Sequence, residues 1–347
     1  DLSGILTEGG TILGTSRQNY VPGKDIVDDN GNSVIPSMLQ TYNRLNLDCL
    51  VIMGGNGTQK SAKLIADAGM NVITLPKTID NDTWGTEMTF GFTSAIDVAT
   101  KCIDDIHTTA SSHGRVFVIE IMGHKVGWIP LYAGVAGGAD GIRIAKCESA
   151  QDVKTVEEHV AAAEREFGVE VGRTLLMAAL ESPKGILNAY EICSASDRMF
   201  GVAISGGDFR KCMQTKFDPS GIDMMVARGQ MLIAARAAGI QCFDTVFTDL
   251  DDNEGFEAEV RQNKAMGFDG KSLINPKQIR LVHQIFAPTE KEVAQAEAMV
   301  SAFREAAAAG IGVFTVNGKM VDVAFIPGAE RTLRLAKACG MYEGDLV

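Results

Sequence analysis

The feature that most constrains this chain is its rhythm. Short apolar, β-branched runs alternate with longer helical patterns nearly from end to end. That alternation marks βα units of a parallel sheet, in which each strand is buried on both faces and each crossover is a helix. Strands are predicted at CLVIMG (49–54), NVITLP (71–76), RVFVIEIMG (115–123), GIRIAK (141–146), TLLMAAL (174–180), MFGVAIS (199–205), FDTVFT (243–248) and KSLIN (271–275). Between them, residues 150–168 set Val153, Val156, Val160 and Ala163 on one helical face. Residues 289–310 form a second long helix, opened at Thr289 with glutamate close behind and closed at Gly310. Its Ala-rich face reads as packing. With 347 residues, two domains are expected.

Composition excludes several classes of function. The apolar fraction of 46% and charged fraction of 22% are those of a globular protein, and no apolar run approaches a membrane-spanning helix. A formal net charge of −12 opposes an electrostatic grip on nucleic acid, which leaves small molecules as the expected partners. The 7 cysteines include no CxxC pair, so neither a disulfide framework nor a zinc knuckle is suggested, and a reducing cytoplasm fits. No secretory signal opens the chain, and Asp1 in place of Met reads as the interior of a longer sequence. Nothing around residue 140 looks like a flexible hinge, so any junction there lies inside a βα unit.

Two constellations carry chemistry. In MGGNGTQKSAKLIADAG (53–69), Gly54, Gly55 and Gly57 lie between a strand and a helix. Backbone N–H groups there can approach an anion, at a helix N-terminus that favours negative charge. A tight turn without a ligand would use the same glycines. In PKTIDNDTWGTEMTFGFTSA (76–95), Asp80 and Asp82 fall on one side of an extended segment. One carboxylate suits proton abstraction from a hydroxyl and the other suits a metal ion, while a plain polar turn would use Asp and Asn as well. Further on, Glu181 follows TLLMAAL and Asp208 follows the next strand. Both sit at C-terminal ends of neighbouring parallel strands, ~4.8 Å apart, where two carboxylates can share one hard cation. A loop glutamate and a helix-capping aspartate are the alternative.

GGTILGTSR (9–17), GGNGT, PKTIDND, SSHGR (111–115), EIMGHKVGW (120–128) and AGVAGGAD (133–140), in this order, closely resemble the phosphofructokinase family over residues 1–140. The resemblance implies that Asp80 is the base for the sugar 1-hydroxyl and Asp82 a magnesium-side carboxylate. It sets Arg17 and the loop Gly54, Gly55, Asn56, Gly57 and Thr58, with Lys77, on the phosphoryl donor. Arg115, Met122 and Gly123 would bind fructose 6-phosphate, with Arg115 reaching a neighbouring subunit. Asn56 stands where bacterial ATP-dependent members usually have Asp, and His124 where Arg is common. Gly57 resembles the ATP users and Lys77 the pyrophosphate users, so the donor is open between the two with ATP favoured. The family's first strand and Gly-rich phosphate loop should precede Asp1, and its second domain should follow Asp140.

AKCESAQDV (145–153), ALESPKGILNAYEI (179–192), AISGGDFRK (203–211), GFDGKSLINPKQI (267–279), FAPTEKEV (286–293) and NGKMVD (317–322) resemble the citrate lyase β-subunit family, which includes malyl-CoA and citramalyl-CoA lyases, over residues 141–347. This second resemblance makes Glu181 and Asp208 the magnesium ligands. The magnesium would hold an α-keto acid while a CoA or carrier-protein thioester enolate is released or added. Asp322 resembles an acidic residue that reaches a neighbouring subunit's site, and Lys146 or Glu148 would border the pocket. The family's early barrel strands, with the arginine that clamps substrate, should precede Gly141.

The combined expectation is an α/β chain of parallel βα units, a partial phosphofructokinase-like αβα sheet followed by a partial TIM (β/α) barrel. GVAGGADGIRIAKCESAQDV (134–153) holds the seam between a kinase-like fragment, 1–140, and a lyase-like half-barrel, 141–347. Two imperfect sheets are expected rather than one closed barrel. Little turnover of either reaction follows, as does a homo-oligomeric or aggregation-prone chain, since half-domains leave open edges and apolar faces.

Overall fold

The computed structural model describes residues 4–5, 12, 19–21, 25–113, 116–308, 313–316 and 319–345. It divides into two compact units, one of residues 1–140 with 159–173 and the other of 141–158 with 174–347.

The first described strands of the first unit are an antiparallel pair, β1 (Asn19–Val21) and β2 (Asp25–Val27). Helix α1 (Ile35–Arg44) precedes β3 (Leu50–Gly54), α2 (Asn56–Asp67) and β4 (Val72–Pro76). Strands β3 and β4 pair in parallel from Leu50↔Val72 to Gly54↔Pro76. Ile26, Ile65 and Met70 form the buried centre beneath them, backed by Ile52 and Val72. The opposite face is bare, with Val51, Met53 and Ile73 all exposed. A cavity of about 370 Å³ between α1, α2 and β3 is lined by Met38, Tyr42, Leu50 and Ile65 and by none of the candidate site residues. Helix α3 (Phe92–His113) packs on α4 (Trp128–Ala136) through Phe92, Ile96, Ile103, Ile129 and Ala133.

The predicted strand at 115–123 does not form over its described part. Residues 116–123 have no regular structure, and Val116 is 94% and Val118 82% exposed. A parallel strand needs a paired neighbour and cover on both faces, and the β3–β4 pair extends to no third strand among the described residues.

The second unit contains a five-stranded sheet of order β5-β6-β7-β8-β9, parallel throughout. Its strands are β5 (Gly141–Ile144), β6 (Leu175–Leu180), β7 (Met199–Ile204), β8 (Gln241–Asp244) and β9 (Gly270–Lys271). Sequential parallel order with helical crossovers is the connectivity of a β/α barrel. The crossovers are α5 (Ala150–Phe167), whose residues from 159 on are counted with the first unit, the short α6 (Pro183–Leu187) and α7 (Ala189–Cys193), α8 (Gly206–Met213) with α9 (Ile222–Ala238), and α10 (Asn253–Met266). Helix α5 buries Val153, Val160 and Ala163 as its spacing predicts, and leaves Val156 half-buried. Leu176, Ala178, Ala179, Leu180, Val202 and Ala203 on β6 and β7 are fully buried. The last two strands are shorter than their apolar runs, and β8 starts earlier than the run at 243–248.

After β9 come α11 (Lys277–Phe286), α12 (Glu290–Ala308), the hairpin β10 (Val313–Val316) and β11 (Lys319–Asp322), and α13 (Ile326–Ala338). Thr289 caps α12. Its hydroxyl accepts from the Glu292 N–H at 3.2 Å, and the Glu292 carboxylate accepts from the Thr289 N–H at 2.7 Å. Gly310 lies outside the described residues. Helices α12 and α13 share a core of Val293, Ala296, Val300, Leu333 and Ala336.

A buried ionic network ties α9, β8, α10 and β9 together. Arg228 donates to both oxygens of Asp244 at 2.8 and 2.9 Å and to Glu259 at 2.9 Å. Lys271 donates to Asp244 at 2.9 Å, to the Thr245 carbonyl at 2.7 Å, and to Glu259. Burial alone would push the Asp244 carboxyl up, but the Lys271 ammonium and Arg228 guanidinium outweigh it and hold the group below the usual carboxylate range. No helix among the described residues is long and apolar enough to cross a membrane.

Candidate functional site

In the first unit the end of β3 feeds the turn Gly54–Gly55 and the N-terminus of α2. Gly54 is required there, because a Cβ would sit 2.3 Å from the Thr58 hydroxyl. Asn56, Gly57 and Thr58 make up the first turn of α2, whose cap Gly55 supplies no side-chain partner. The leading N–H groups of such a helix are available to an anion. Lys77 follows β4, with its N–H donating to the Gly54 carbonyl at 3.0 Å.

The segment after β4 is held by local hydrogen bonds. The Thr89 N–H donates to Asn81 Oδ1 at 2.8 Å, and the Thr89 hydroxyl donates to the Thr78 carbonyl at 2.8 Å. Asn81 takes φ = 51°, a left-handed conformation that asparagine tolerates. Asp80 and Asp82 are thereby brought together with His124, one ligand atom from each lying within 4.8 Å of the others. His124 Nδ1 is 3.1 Å from Asp82 Oδ2, and Asn56 Nδ2 donates to the Asp82 carbonyl at 3.1 Å. Two carboxylates and an imidazole form a donor set for a divalent cation. Met122 and Gly123 lie in the irregular stretch before α4, with Met122 exposed. Arg17 and Arg115 lie outside the described residues.

In the second unit Glu181 directly follows β6, and Asp208 lies in the first turn of α8 after β7, where the helix dipole favours a carboxylate. Gly206 lets that helix start close to the sheet, since its N–H donates to the Thr245 hydroxyl at 2.8 Å and a Cβ would meet that oxygen at 2.9 Å. Lys146, just beyond β5, joins the two acids. Its ammonium donates to Glu181 Oε2 at 3.0 Å and to Asp208 Oδ2, and its backbone N–H donates to Glu181 Oε1 at 3.2 Å. The Lys146 hydrogen bond holds the Asp208 carboxyl below its ordinary value, and the two carboxylates push the lysine up. Both acids thus already converge on a cation, which is the arrangement a hard divalent ion requires.

Glu148 sits beside this group. Its carboxylate accepts from the Ser182 hydroxyl at 2.6 Å and pairs with Lys184 at 3.3 Å, and these contacts hold it below the usual range. Arg143 reaches the Ser205 hydroxyl at 3.3 Å on the same strand ends. Asp322 ends β11, paired with Val313 in the hairpin. The meeting of His124 with Asp82 and of Lys146 with both acids had no local signal, since 42, 35 and 62 residues separate the partners.

The phosphofructokinase family model matches residues 1–205, and the model for C–C bond lyases of the TIM-barrel fold matches residues 209–341. Citrate lyase subunit beta of Leuconostoc mesenteroides subsp. cremoris is 48% identical over 211 residues, 61% of this chain and 70% of that protein. The ATP-dependent 6-phosphofructokinase of Spirochaeta thermophila is 58% identical over 146 residues, 42% of this chain. The chain spans 40% of the length of that kinase. Among solved structures, a citrate lyase from Burkholderia xenovorans LB400 superposes with a TM-score of 0.55 at 15% identity, covering 86% of this chain and 94% of its own. The protein CitE from Mycobacterium tuberculosis, solved with magnesium, acetoacetate and coenzyme A, is 28% identical with a TM-score of 0.47, covering 62% and 75%. The fold is therefore α/β with parallel sheets, a phosphofructokinase domain and a TIM-barrel-like lyase domain in one chain.

Proposed function

Because the chain belongs to the phosphofructokinase family, whose model matches residues 1–205, and to the citrate lyase subunit beta family, at 48% identity over 211 residues, we propose that it is a hybrid with two incomplete active sites and little or no turnover at either. One observation carries the reading. Helix α4 runs straight into strand β5, so a seam between them would interrupt each catalytic set with the other family's sequence. We set the seam near Asp140, giving segments 1–140 and 141–347, rather than at residues 205–209, because β5 to β9 form one hydrogen-bonded sheet that a later cut would split between β7 and β8.

On the kinase side, Asp80 would act as base and Asp82 would lie on the magnesium side. Asn56 and Lys77 would meet ATP or pyrophosphate, with Arg17, Gly54, Gly55, Gly57 and Thr58 beside the donor. Arg115, Met122 and Gly123 would meet the sugar phosphate. Phosphoryl transfer depends on all such groups being held in place together. The exposed, irregular 116–123 stretch that leads to Met122 and Gly123 argues against that. An assay coupled to fructose 6-phosphate with ATP or pyrophosphate is expected to give no native-like rate, and such a rate would refute the hybrid reading.

The second reading is a magnesium-dependent carbon–carbon lyase acting on citryl-, malyl- or citramalyl-CoA thioesters, and the convergence of Glu181 and Asp208 favours it over kinase activity. A bound Mg2+ supplies Lewis-acid polarisation of a substrate carbonyl. Glu181 and Asp208 would hold it, Glu148 would border the pocket from its Ser182 and Lys184 contacts, and Asp322 would act from the C-terminal hairpin. Thioester cleavage that disappears in Glu181→Ala and Asp208→Ala would establish this reading, and absence of Mg2+ binding by calorimetric titration would end it. A thermal shift with ATP, pyrophosphate, fructose 6-phosphate or CoA reports any site that only binds, because a ligand preferring the folded state raises apparent stability.

A further inference from the structure

Building on the reading of Glu181 and Asp208 as a divalent-cation site, we propose that Lys146 is that site's internal counter-ion, which a divalent cation must displace in order to bind. The lysine engages the pair at three points. Its ammonium meets one oxygen of each acid and its backbone N–H meets the remaining Glu181 oxygen. Lys146 takes φ = 51°, a left-handed conformation that a lysine rarely adopts, and from this turn both of its nitrogens face Glu181.

An ammonium and a divalent ion cannot share the point between these acids. Both draw on the same oxygens, and like charges at contact distance repel. Displacement is easy, because the Lys146 side chain is 68% exposed and swings into water, whereas the Glu181 side chain is only 12% exposed and stays fixed at the strand end. Lys146 thus offsets one of the two negative charges while no metal is bound and sets a threshold for metal entry. Lys211 also bears on Asp208, through its charge. It provides the control for a general field effect.

The test is a Mn2+ titration of the full chain at fixed ionic strength, read by the electron paramagnetic resonance of free Mn2+ and repeated with Mg2+ as competitor. Glu181→Ala identifies the fraction that belongs to this site and separates it from metal held by Asp80, Asp82 and His124. Two ion pairs of an exposed ammonium are lost on its removal, so Lys146→Met is expected to tighten this fraction about three- to tenfold. Lys146→Asn, which suits the left-handed backbone, is expected to do the same. Lys211→Met is expected to change it by less than about twofold. Unchanged or weaker binding in both Lys146 variants, with the Glu181-dependent fraction intact, overturns the counter-ion and leaves the cation reading standing. If Glu181→Ala removes nothing from any variant, the cation reading itself fails and the counter-ion falls with it.

Discussion

The β3–β4 pair and strands β6 and β7 are built from similarly apolar runs, yet the first pair buries only Gly54 and the second buries 9 of its 12 residues. Val51, Met53 and Ile73 are exposed on the first, whereas Leu176, Leu180, Val202 and Ile204 are buried on the second. The difference is one of neighbours. Strands β6 and β7 are each paired on both sides and covered by helices, while β3 and β4 have only each other among the described strands. Apolar sequence makes a strand available to a sheet, and partners decide whether it is used. The junction proposed near Asp140 would preserve a run of consecutive lyase strands and end the kinase run early.

The sharpest way to break the comparison is to attack the ionic network that only the second sheet has. Removing one partner leaves the remaining buried charges unbalanced, which costs about 3–5 kcal/mol. Arg228→Ala or Asp244→Ala should therefore shift urea unfolding strongly when followed by circular dichroism. Fluorescence should move less, because both tryptophans, Trp84 and Trp128, lie before residue 140. Asp244 also fixes the pH window. Its folded carboxyl lies below the ordinary value of ~3.9, so its stabilisation is fully present above that pH and is lost as pH falls through the folded value. Equal losses in both probes, or an acid transition of this unit well above pH 4, would contradict the assignment.

Core truncation should give a similar contrast at slightly smaller scale. Leu180→Ala removes a fully buried side chain from β6 and should cost about 2–5 kcal/mol. The corresponding truncation on the first sheet, Met53→Ala, empties an exposed position and should cost less than about 1 kcal/mol. At the C-terminal helices, Thr289→Ala deletes one half of the capping box and should cost ~1 kcal/mol, seen as a lower urea midpoint.

How far the sequence revealed these features follows from the range of the interactions. Helix α5 was legible because its apolar spacing is local, and α12 because Thr289 and Glu292 satisfy each other within one turn. Glu181 and Asp208 were legible as strand-end acids. The collapse of 116–123 was not, since VFVIEI has strand composition and fails only for want of a neighbour. Lys146 was visible as a pocket residue but not as the bridge, which depends on the left-handed turn at that position. The Arg228 network offered one faint signal, an arginine in the middle of the apolar, Ala- and Met-rich run of α9.

The smallest expected effect on stability tests what the uncovered surfaces do instead. Ile73, Val116 and Val118 bury little in the folded chain, so Ile73→Ser with Val118→Ser should change the unfolding free energy by no more than about 0.5 kcal/mol. Exposed apolar surface beside an open strand edge is a template for association between copies. We therefore expect light scattering of the wild-type chain to rise with concentration and that of the double variant to rise less, with matched circular dichroism. An unchanged scattering profile would place the adhesive surface elsewhere. Lower stability in the variant would mean that Ile73 and Val118 are covered in solution, and the contrast between the two sheets would then reflect an assembly rather than the single chain.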